Sequence, residues 1–176
     1  MSNRIIKSRA RGSSVQLVDC LSSLLTLELF SPGKELYLIS PWLSNVPLID
    51  NRHGQFRAIA GEYNKPTLHL ADILCLLAER GTEVRVLYLP PAKDMTSIFL
   101  HGIHNVERIE YRGLRHLHEK GLITSHFYLC GSMNFTYSGI NLNQESVVLT
   151  TDEVAVWHAL QEARVLWEGN ADHGES

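Results

Sequence analysis

Apolar and polar positions follow one another in a way that predicts amphipathic helices and short buried strands. An apolar set at helical spacing over residues 17–29 follows two serines and ends at Pro32 and Gly33, which predicts a capped helix. The continuous apolar run at 36–39 is typical of a strand buried on both faces of a sheet. Residues 42–66 show no sustained period, so we expect a long loop there.

The rest of the pattern predicts a sheet with crossover helices. A helix over about 67–81 leads to a buried strand at 84–89, and strand, helix and strand in this order imply a parallel pair. A further helix and strand, at 93–103 and 106–111, enlarge the sheet by one strand. The last elements are two hairpin-like strands, a short helix, a strand and a final helix, at 115–120, 126–131, 135–141, 145–150 and 152–168. We therefore expect an α/β fold with a mixed, largely parallel sheet and helices on both faces.

The composition is that of one ordinary globular domain. The 176 residues are 44% hydrophobic and 20% charged, which allows a sizeable core, and we expect a domain over 13–168 with flexible tails at 1–12 and 169–176. No stretch reaches the ~20 apolar residues of a membrane span and the basic start lacks a signal-type segment, which predicts a cytoplasmic protein without a membrane partner. A net charge of -3 gives no global attraction to polyanions, so such a partner would need a local basic patch.

Neither the cysteines nor the histidines predict a metal site. Cys20, Cys75 and Cys130 are far apart, odd in number and set among apolar residues, so we expect buried reduced thiols. Zinc is a weak interpretation of three histidines near one another in sequence, because no paired Cys or acidic ligand at metal spacing accompanies them: His116, His118 and His126.

One constellation of polar residues points to phosphoryl chemistry. If 116–120 is a strand, its period of two puts His118 and Lys120 on the same face, and the same rule aligns Ser132 with Asn134. Such a set suits a tetrahedral oxyanion, because the lysine supplies charge, the amide and hydroxyl supply donors, and the imidazole supplies a nucleophile.

These residues resemble the signature of the phospholipase D superfamily. The family pattern is His-x-Lys, four residues, Asp, and a nearby Gly-Ser-x-Asn, and it is matched here by His118, Lys120 and the segment Gly131-Ser132-Met133-Asn134. Ser125 stands where the family has Asp. Weaker likeness lies in Phe135-Thr136-Tyr137-Ser138-Gly139, in Asn143-x-Glu145, and in Ile39-Ser40-Pro41-Trp42. The resemblance implies a phospholipase D-like fold. Independently of the resemblance, Gly131 would let the backbone approach closely, because it has no side chain.

The resemblance also implies a mechanism. One His attacks phosphorus and forms a phosphohistidine, a second His protonates the leaving oxygen, and no metal or other cofactor takes part. The chain has one copy of the motif, so a complete site implies a homodimer with two copies of His118 facing each other. By the family's pattern, Glu145 would hydrogen-bond a His and set its tautomer. Ser125 removes a carboxylate that would support the site, which weakens the catalytic inference without removing the nucleophile.

The expected function is a phosphodiesterase, a hydrolase or nuclease acting on nucleic acid, with DNA preferred. The alternative is a non-catalytic nucleic-acid-binding or scaffold subunit that keeps the phosphate pocket, and phospholipid hydrolysis is less favoured because no membrane-surface helix stands out. The short single-copy form is also similar to phospholipase D-like proteins of bacterial systems that insert 7-deazaguanine derivatives into DNA. That likeness implies a role in DNA modification or restriction, with other proteins of such a system as partners.

Three residues outside the motif have two interpretations each. Trp42 could stack a base, although a Trp just after a core strand is more often a plug in the core. Arg112 and Arg115 could contact a phosphate backbone, or they could lie at a solvated strand edge.

Overall fold

The structure is a computed structural model that describes residues 3–7, 14–63 and 65–169. Its strands are β1 (Asn3–Lys7), β2 (Glu35–Ile39), β3 (Pro47–Asp50), β4 (Thr67–His69), β5 (Glu83–Tyr88), β6 (Ile109–Gly113), β7 (Gly121–Thr124), β8 (Tyr128–Gly131) and β9 (Ser146–Thr150). Its α-helices are α1 (Ser14–Phe30), α2 (Arg57–Ala60), α3 (Leu70–Glu79), α4 (Asp94–Gly102), α5 (Tyr137–Asn141) and α6 (Glu153–Glu168). None of these helices is long and apolar enough to cross a membrane.

Seven strands form one mixed sheet in the order β1-β9-β8-β7-β2-β5-β6. The predicted α/β class, with helices on both faces, is confirmed. The sheet is not largely parallel, however, because only the β2–β5 and β5–β6 pairs run parallel and the other four are antiparallel. The parallel pairs are those linked by the crossover helices α3 and α4. A short turn joins β7 to β8, and such a turn allows only antiparallel pairing.

The first strand corrects the prediction that residues 1–12 form a flexible tail. Asn3–Lys7 pairs antiparallel with β9, with Ile5 opposite Val148 and Ile6 opposite Val147. Ile6 is buried whereas Ile5 is exposed, which is the alternation of an edge strand with one face on the core. This strand forms because it pairs with β9, and the local pattern of apolar and polar residues does not predict it. The rest of both predicted tails, at 1–2, 8–12 and 170–176, lies outside the described residues.

The segment expected to be a long loop contains regular structure. β3 pairs with β4 in a two-stranded sheet, and α2 and a 3₁₀ helix (Gly61–Tyr63) lie between them in the chain. Leu43, Val46 and Ile49 of this segment are buried in the main core. The prediction was wrong because each element is too short to show a period of its own.

Two hydrophobic cores lie on opposite faces of the sheet. The larger one is built by α1, α3 and α4 on one face. The smaller one has α6 as its only helix among the described elements, and this helix buries Val156, Leu160, Ala163 and Trp167 as its spacing predicts. The Asp152 side chain caps α6 by accepting a hydrogen bond from the Ala155 N–H at 3.1 Å.

The three cysteines are free thiols, and their burial differs from the prediction. Cys75 is buried, whereas Cys20 and Cys130 are half-buried. Burial raises the pKa of the Cys20 and Cys75 thiols, so both stay protonated at neutral pH. Among the described residues, no three His, Cys, Asp or Glu side chains come together to hold a metal ion.

Candidate active site

The residues of the predicted constellation lie along one edge of the sheet, which here means a row of strand ends and not an outermost strand. β2 and β5 end at this edge, and β7 begins there because it runs antiparallel to β2. β8 ends and β9 begins at the same edge, since each is antiparallel to its neighbour. His118 and Lys120 immediately precede β7, Gly131 ends β8, and Glu145 immediately precedes β9. Strand direction therefore brings together residues that are up to 27 positions apart in the chain.

The His-x-Lys segment precedes the strand instead of forming part of it. β7 begins at Gly121, so the predicted strand over 115–120 is wrong, and the period of two does not orient these side chains. The Lys120 ammonium donates a hydrogen bond to the His118 carbonyl oxygen at 2.8 Å, and the Gly131 N–H donates to the Lys120 carbonyl oxygen at 3.4 Å. Leu117 is buried while His118 is exposed. A short extended loop thus presents His118 to solvent and ties Lys120 to the end of β8.

Gly131 lets β8 approach β9 closely at the site. Its φ of +153° is a conformation that L side chains rarely adopt, and an added Cβ would overlap the Ser146 carbonyl oxygen and lie 2.8 Å from Val147 Cα. The same approach allows the Ser132 N–H to donate to the Ser146 carbonyl at 3.1 Å. The glycine of the Gly-Ser-x-Asn segment is therefore required by the sheet itself.

Ser132 and Glu145 contact each other directly. The Ser132 hydroxyl donates a short hydrogen bond to the Glu145 carboxylate and accepts one from the Ser146 N–H at 3.1 Å. The Asn143 side-chain amide donates to the other Glu145 oxygen at 3.3 Å. The sequence associated Ser132 with a phosphate and Glu145 with a histidine. The structure holds both residues in one hydrogen-bonded group at the site edge.

Asn134 has an unsatisfied polar atom. Its side-chain oxygen is buried and has no hydrogen-bond partner among the described residues. The first amides of α5 are occupied, because the Tyr137 N–H donates to Ser44 Oγ at 2.9 Å and the Gly139 N–H donates to Thr136 Oγ1 at 3.0 Å. A buried polar group without a partner is energetically costly, so this atom is a place where a ligand would be stabilised.

The segment after β2 packs against Asn134's neighbour. The buried Ser40 hydroxyl accepts from the Phe135 N–H at 3.1 Å and donates to the Trp42 carbonyl oxygen at 2.7 Å. Leu43 forms a parallel bridge with Phe135. Trp42 itself is 40% exposed, so it is not a core plug. The stretch of weaker sequence likeness at 39–42 thus contacts the residue that directly follows the Gly-Ser-x-Asn segment.

Comparison with known proteins decides the family. The profile described as "Cardiolipin synthase, PLD-like domain" matches residues 48–167, which is more than half of the chain. The chain belongs to the phospholipase D-like family. No curated protein matches it in sequence.

Solved structures show the same fold at low sequence identity. NucT from Helicobacter pylori has a TM-score of 0.66 and 15% identity, over 95% of this chain and 96% of its own. Nuc from Salmonella typhimurium, a phospholipase D family member, has a TM-score of 0.62 and 16% identity, over 95% and 94%. TrmBL2, an archaeal chromatin protein with a novel mode of DNA binding, has a TM-score of 0.50 and 15% identity, over 96% of this chain and 53% of its own. The phospholipase D-like fold is therefore shared across nearly the whole chain.

Ser125, which replaces the Asp of the phospholipase D pattern, lies outside the site. It follows the far end of β7, five residues from Lys120, or about 16 Å along an extended strand. There it faces Gly33, where an added Cβ would lie 2.9 Å from the Ser125 hydroxyl. At this position a carboxylate would not support the site directly, so the predicted effect of Ser125 on the site is not supported.

A buried carboxylate that the sequence analysis missed lies near Ser125. Glu28 of α1 is 2% exposed, accepts hydrogen bonds from the Thr124 hydroxyl at 2.5 Å and the Gly33 N–H at 3.2 Å, and pairs with His126 Nδ1 at 2.8 Å. A signal was available, because Glu28 interrupts the apolar face of a predicted helix. The same contact places His126 at the opposite end of β7 from His118.

A groove adjoins Lys120 on the side of the sheet covered by α6. It has a volume of about 540 Å³, and its lining includes Lys120, Gly121, Tyr128, the acidic residues Glu119 and Glu162, and apolar residues of α6. Burial raises the pKa of the Tyr128 phenol, which keeps its hydroxyl protonated. On α6, large apolar side chains remain exposed: Val154, Trp157 and Val165. Of these three, Val165 lines the groove, so the candidate site is bordered by a groove with both apolar and acidic residues.

Proposed function

We propose that the chain is a phosphodiesterase of the phospholipase D type that acts on nucleic acid. The observation that carries the proposal is that the segments holding His118, Lys120 and Asn134 adjoin strand ends at one sheet edge, before β7 and after β8. Each side chain has the chemistry that transfer at phosphorus requires, namely a nucleophile, a fixed charge and a hydrogen-bonding amide.

The proposed reaction proceeds in two displacements. An imidazole nitrogen of His118 attacks phosphorus, a P–N bond forms and one ester P–O bond breaks, and a second histidine gives its proton to the leaving oxygen. Water then attacks the phosphohistidine, loses a proton to that second histidine and breaks the P–N bond. Protons and electron pairs balance over the cycle, and no metal or cofactor takes part.

The remaining residues would bind the phosphate or position the nucleophile. Lys120 has three donors, and its contact with the His118 carbonyl leaves two for phosphate oxygens. Turning the Asn134 amide over would place its NH₂ group at the unsatisfied buried position, where a phosphate oxygen could accept from it. Ser132 and Glu145, already in contact, would hold each other so that Glu145 orients a histidine. Phosphate binding by Ser132 would require its hydroxyl to leave Glu145.

The second histidine would come from a second copy of the chain. The motif occurs once, so an isologous homodimer would bring two His118 side chains to one phosphate. The exposed Val165 of α6 supports this arrangement, because it is an uncovered apolar side chain that lines the groove reaching Lys120. A second copy bound there would cover this apolar surface and would also supply the second His118 of the site.

Nucleic acid is the proposed substrate class, with DNA first. The DNA binding named for TrmBL2, which has a similar fold, supports this choice. Exposed groups that suit a polynucleotide also flank the site, including Arg115 and Trp42. Arg112 is less available, because it donates to the Trp167 carbonyl at 3.0 Å and lies 4.0 Å from the centroid of the Trp167 ring.

A cleavage assay with a matched histidine control tests the proposal. Labelled DNA and RNA, incubated with EDTA present, should be cleaved by the wild-type protein and not by His118→Ala. His116→Ala is the control, because His116 is an exposed histidine two positions away in the same loop. Equal cleavage by wild type and His118→Ala would reject the mechanism.

The non-catalytic alternative loses its main support in the structure. It rested on Ser125, which lies at the other end of β7 from Lys120. Trapping a covalent phosphate adduct on His118 with a slowly hydrolysed substrate would exclude it. DNA binding that depends on salt, without any adduct, would favour it instead.

A narrower proposal places the activity in a cytoplasmic DNA modification or restriction system. Its support is the likeness of the short, single-motif chain to phospholipase D-like proteins of such systems. Nucleosides from genomic DNA, measured by mass spectrometry with and without the His118→Ala substitution in the host, would test it. An unchanged content of 7-deazaguanine nucleosides and unchanged restriction of foreign DNA would reject it.

A further inference from the structure

An exposed tryptophan lies next to the candidate site on a fixed backbone. Trp42 is 40% exposed although Pro41 and Leu43 on either side of it are buried. Its carbonyl accepts from Ser40, and the Leu43 N–H donates to Thr96 Oγ1 at 3.0 Å. The chain is held on both sides of the ring, so little conformational entropy would be lost when a ligand binds to it.

The position of Trp42 is coupled to that of Asn134. One hydroxyl, that of Ser40, binds both the Trp42 carbonyl and the N–H of Phe135, the residue directly after Asn134. The Leu43–Phe135 bridge adds a second link between the two segments. The indole is therefore presented on the same sheet edge as the proposed phosphate ligands.

A cation already lies against the indole. The Lys93 ammonium is 4.7 Å from the centroid of the Trp42 ring, and Lys93 is an exposed residue directly before α4. A cation–π contact at an exposed position is weaker than the stacking of a nucleobase on an aromatic ring. A base could therefore displace the ammonium, and the long lysine side chain would let it reach a neighbouring phosphate.

We propose that Trp42 and Lys93 form a nucleotide-binding subsite, in which a base flanking the scissile phosphate stacks on Trp42 and Lys93 binds an adjacent phosphate. The location of the scissile phosphate rests on the proposed function. Bases in a duplex are already stacked on one another, so the subsite takes an unpaired base. The preferred substrate is accordingly single-stranded nucleic acid.

Binding to strands with and without bases tests the subsite. The probes are a labelled single-stranded oligothymidylate, an abasic strand of equal length, and a duplex, all measured by fluorescence anisotropy in the His118→Ala background to prevent cleavage. Trp42→Ala should weaken binding of oligothymidylate by about 5- to 150-fold, the range of base stacking on an aromatic side chain. It should weaken binding of the abasic strand much less, and Trp42→Phe should restore most of the lost affinity.

The role of Lys93 has its own matched control. Lys93→Gln should reduce the magnitude of the slope of log affinity against log salt concentration by the contribution of about one phosphate contact. Lys34→Gln should leave the slope unchanged, because Lys34 is exposed directly before β2, at the opposite edge of the sheet. An unchanged slope in Lys93→Gln would remove Lys93 from the subsite.

The outcomes separate this inference from the proposed function. Equal loss of affinity for both single strands in Trp42→Ala, no loss for either, or duplex binding as tight as single-strand binding would overturn the subsite. If the wild type cleaves the substrate and any of those results is found, the subsite is rejected and the proposed phosphodiesterase activity is retained. Base-dependent binding through Trp42 with no cleavage by wild type would reject the phosphodiesterase and keep the subsite.

Discussion

The Ser132 hydroxyl donates a hydrogen bond to the Glu145 carboxylate, although 13 positions separate the two residues in the chain. Gly131 makes this contact possible because it lets the end of β8 lie against Ser146 at the start of β9. Two segments of the phospholipase D-like pattern are thereby joined into one hydrogen-bonded group. We therefore expect the Ser132 hydroxyl to position the Glu145 carboxylate and not to bind the phosphate directly.

Removing the Ser132 hydroxyl should slow cleavage without unfolding the protein. A hydrogen bond to a charged group contributes about 1.5–3 kcal/mol, so Ser132→Ala should lower kcat by roughly 10- to 100-fold if Glu145 positions the nucleophile. Steady-state kinetics on a labelled oligonucleotide measures the effect, and Ser138→Ala, at an exposed position, is the control. A change confined to KM would instead indicate that Ser132 binds the phosphate directly.

Replacing Gly131 should destabilise the sheet at the site. Gly131→Ala adds a Cβ that overlaps the Ser146 carbonyl and forces an L residue into a positive φ, so we expect a loss of at least about 2 kcal/mol in the free energy of unfolding. Gly81→Ala is the control, because Gly81 also has a positive φ but has open space around it. Urea titrations of both variants separate the loss of unfolding free energy caused by the overlap from the loss caused by the positive φ. Equal losses would mean that the overlap is relieved by a small shift of β9.

Restoring the family's Asp at position 125 should not raise activity. Ser125 lies beyond the far end of β7, close to Gly33, and the Glu28 carboxylate binds the Gly33 N–H. Ser125→Asp would place a second negative charge near Glu28, so we expect a loss of about 1 kcal/mol in unfolding free energy and a kcat within about two-fold of wild type. Thermal unfolding and oligonucleotide cleavage measure the two effects. An increase of ten-fold or more in kcat would show that the missing carboxylate matters to the chemistry.

Mixed dimers should reveal whether one site uses two chains. If each site needs two copies of His118, an equal mixture of wild type and His118→Ala, allowed to exchange subunits, should keep about a quarter of the wild-type activity at constant total protein. Independent chains would keep about half. The cleavage rate as a function of mixing ratio distinguishes a quadratic from a linear dependence.

The surface of α6 offers a second test of the same assembly. Val165→Lys places a charge at an exposed apolar position of α6 and should shift the mass in solution from dimer to monomer, with loss of cleavage. Ile98→Lys is the control, because Ile98 is similarly exposed but lies on α4, on the other face of the sheet. A wild-type protein that is monomeric at micromolar concentration would contradict the dimer.

The sequence alone determined the fold class and the identity of the motif residues. Helical spacing and short apolar runs were sufficient for α1, β2, α4 and α6, because each of these buries a regular face. The joint spacing of His118, Lys120 and the Gly-Ser-x-Asn segment identified the family resemblance, which the match over 48–167 bears out. These features are local, so a linear pattern can contain them.

Only the tertiary structure decided which residues meet. The strand order and the antiparallel direction of β7 bring Lys120 to Gly131 while carrying Ser125 to the opposite end of the sheet, although Ser125 is nearer to Lys120 in the chain. Pairing with β9 made a strand of Asn3–Lys7 that was expected to be a tail. The spacing of residues along the chain predicts the direction in which a side chain points from its own helix or strand. Which ends of which elements share an edge depends on pairings between distant segments, and those pairings are set by the burial of the whole core.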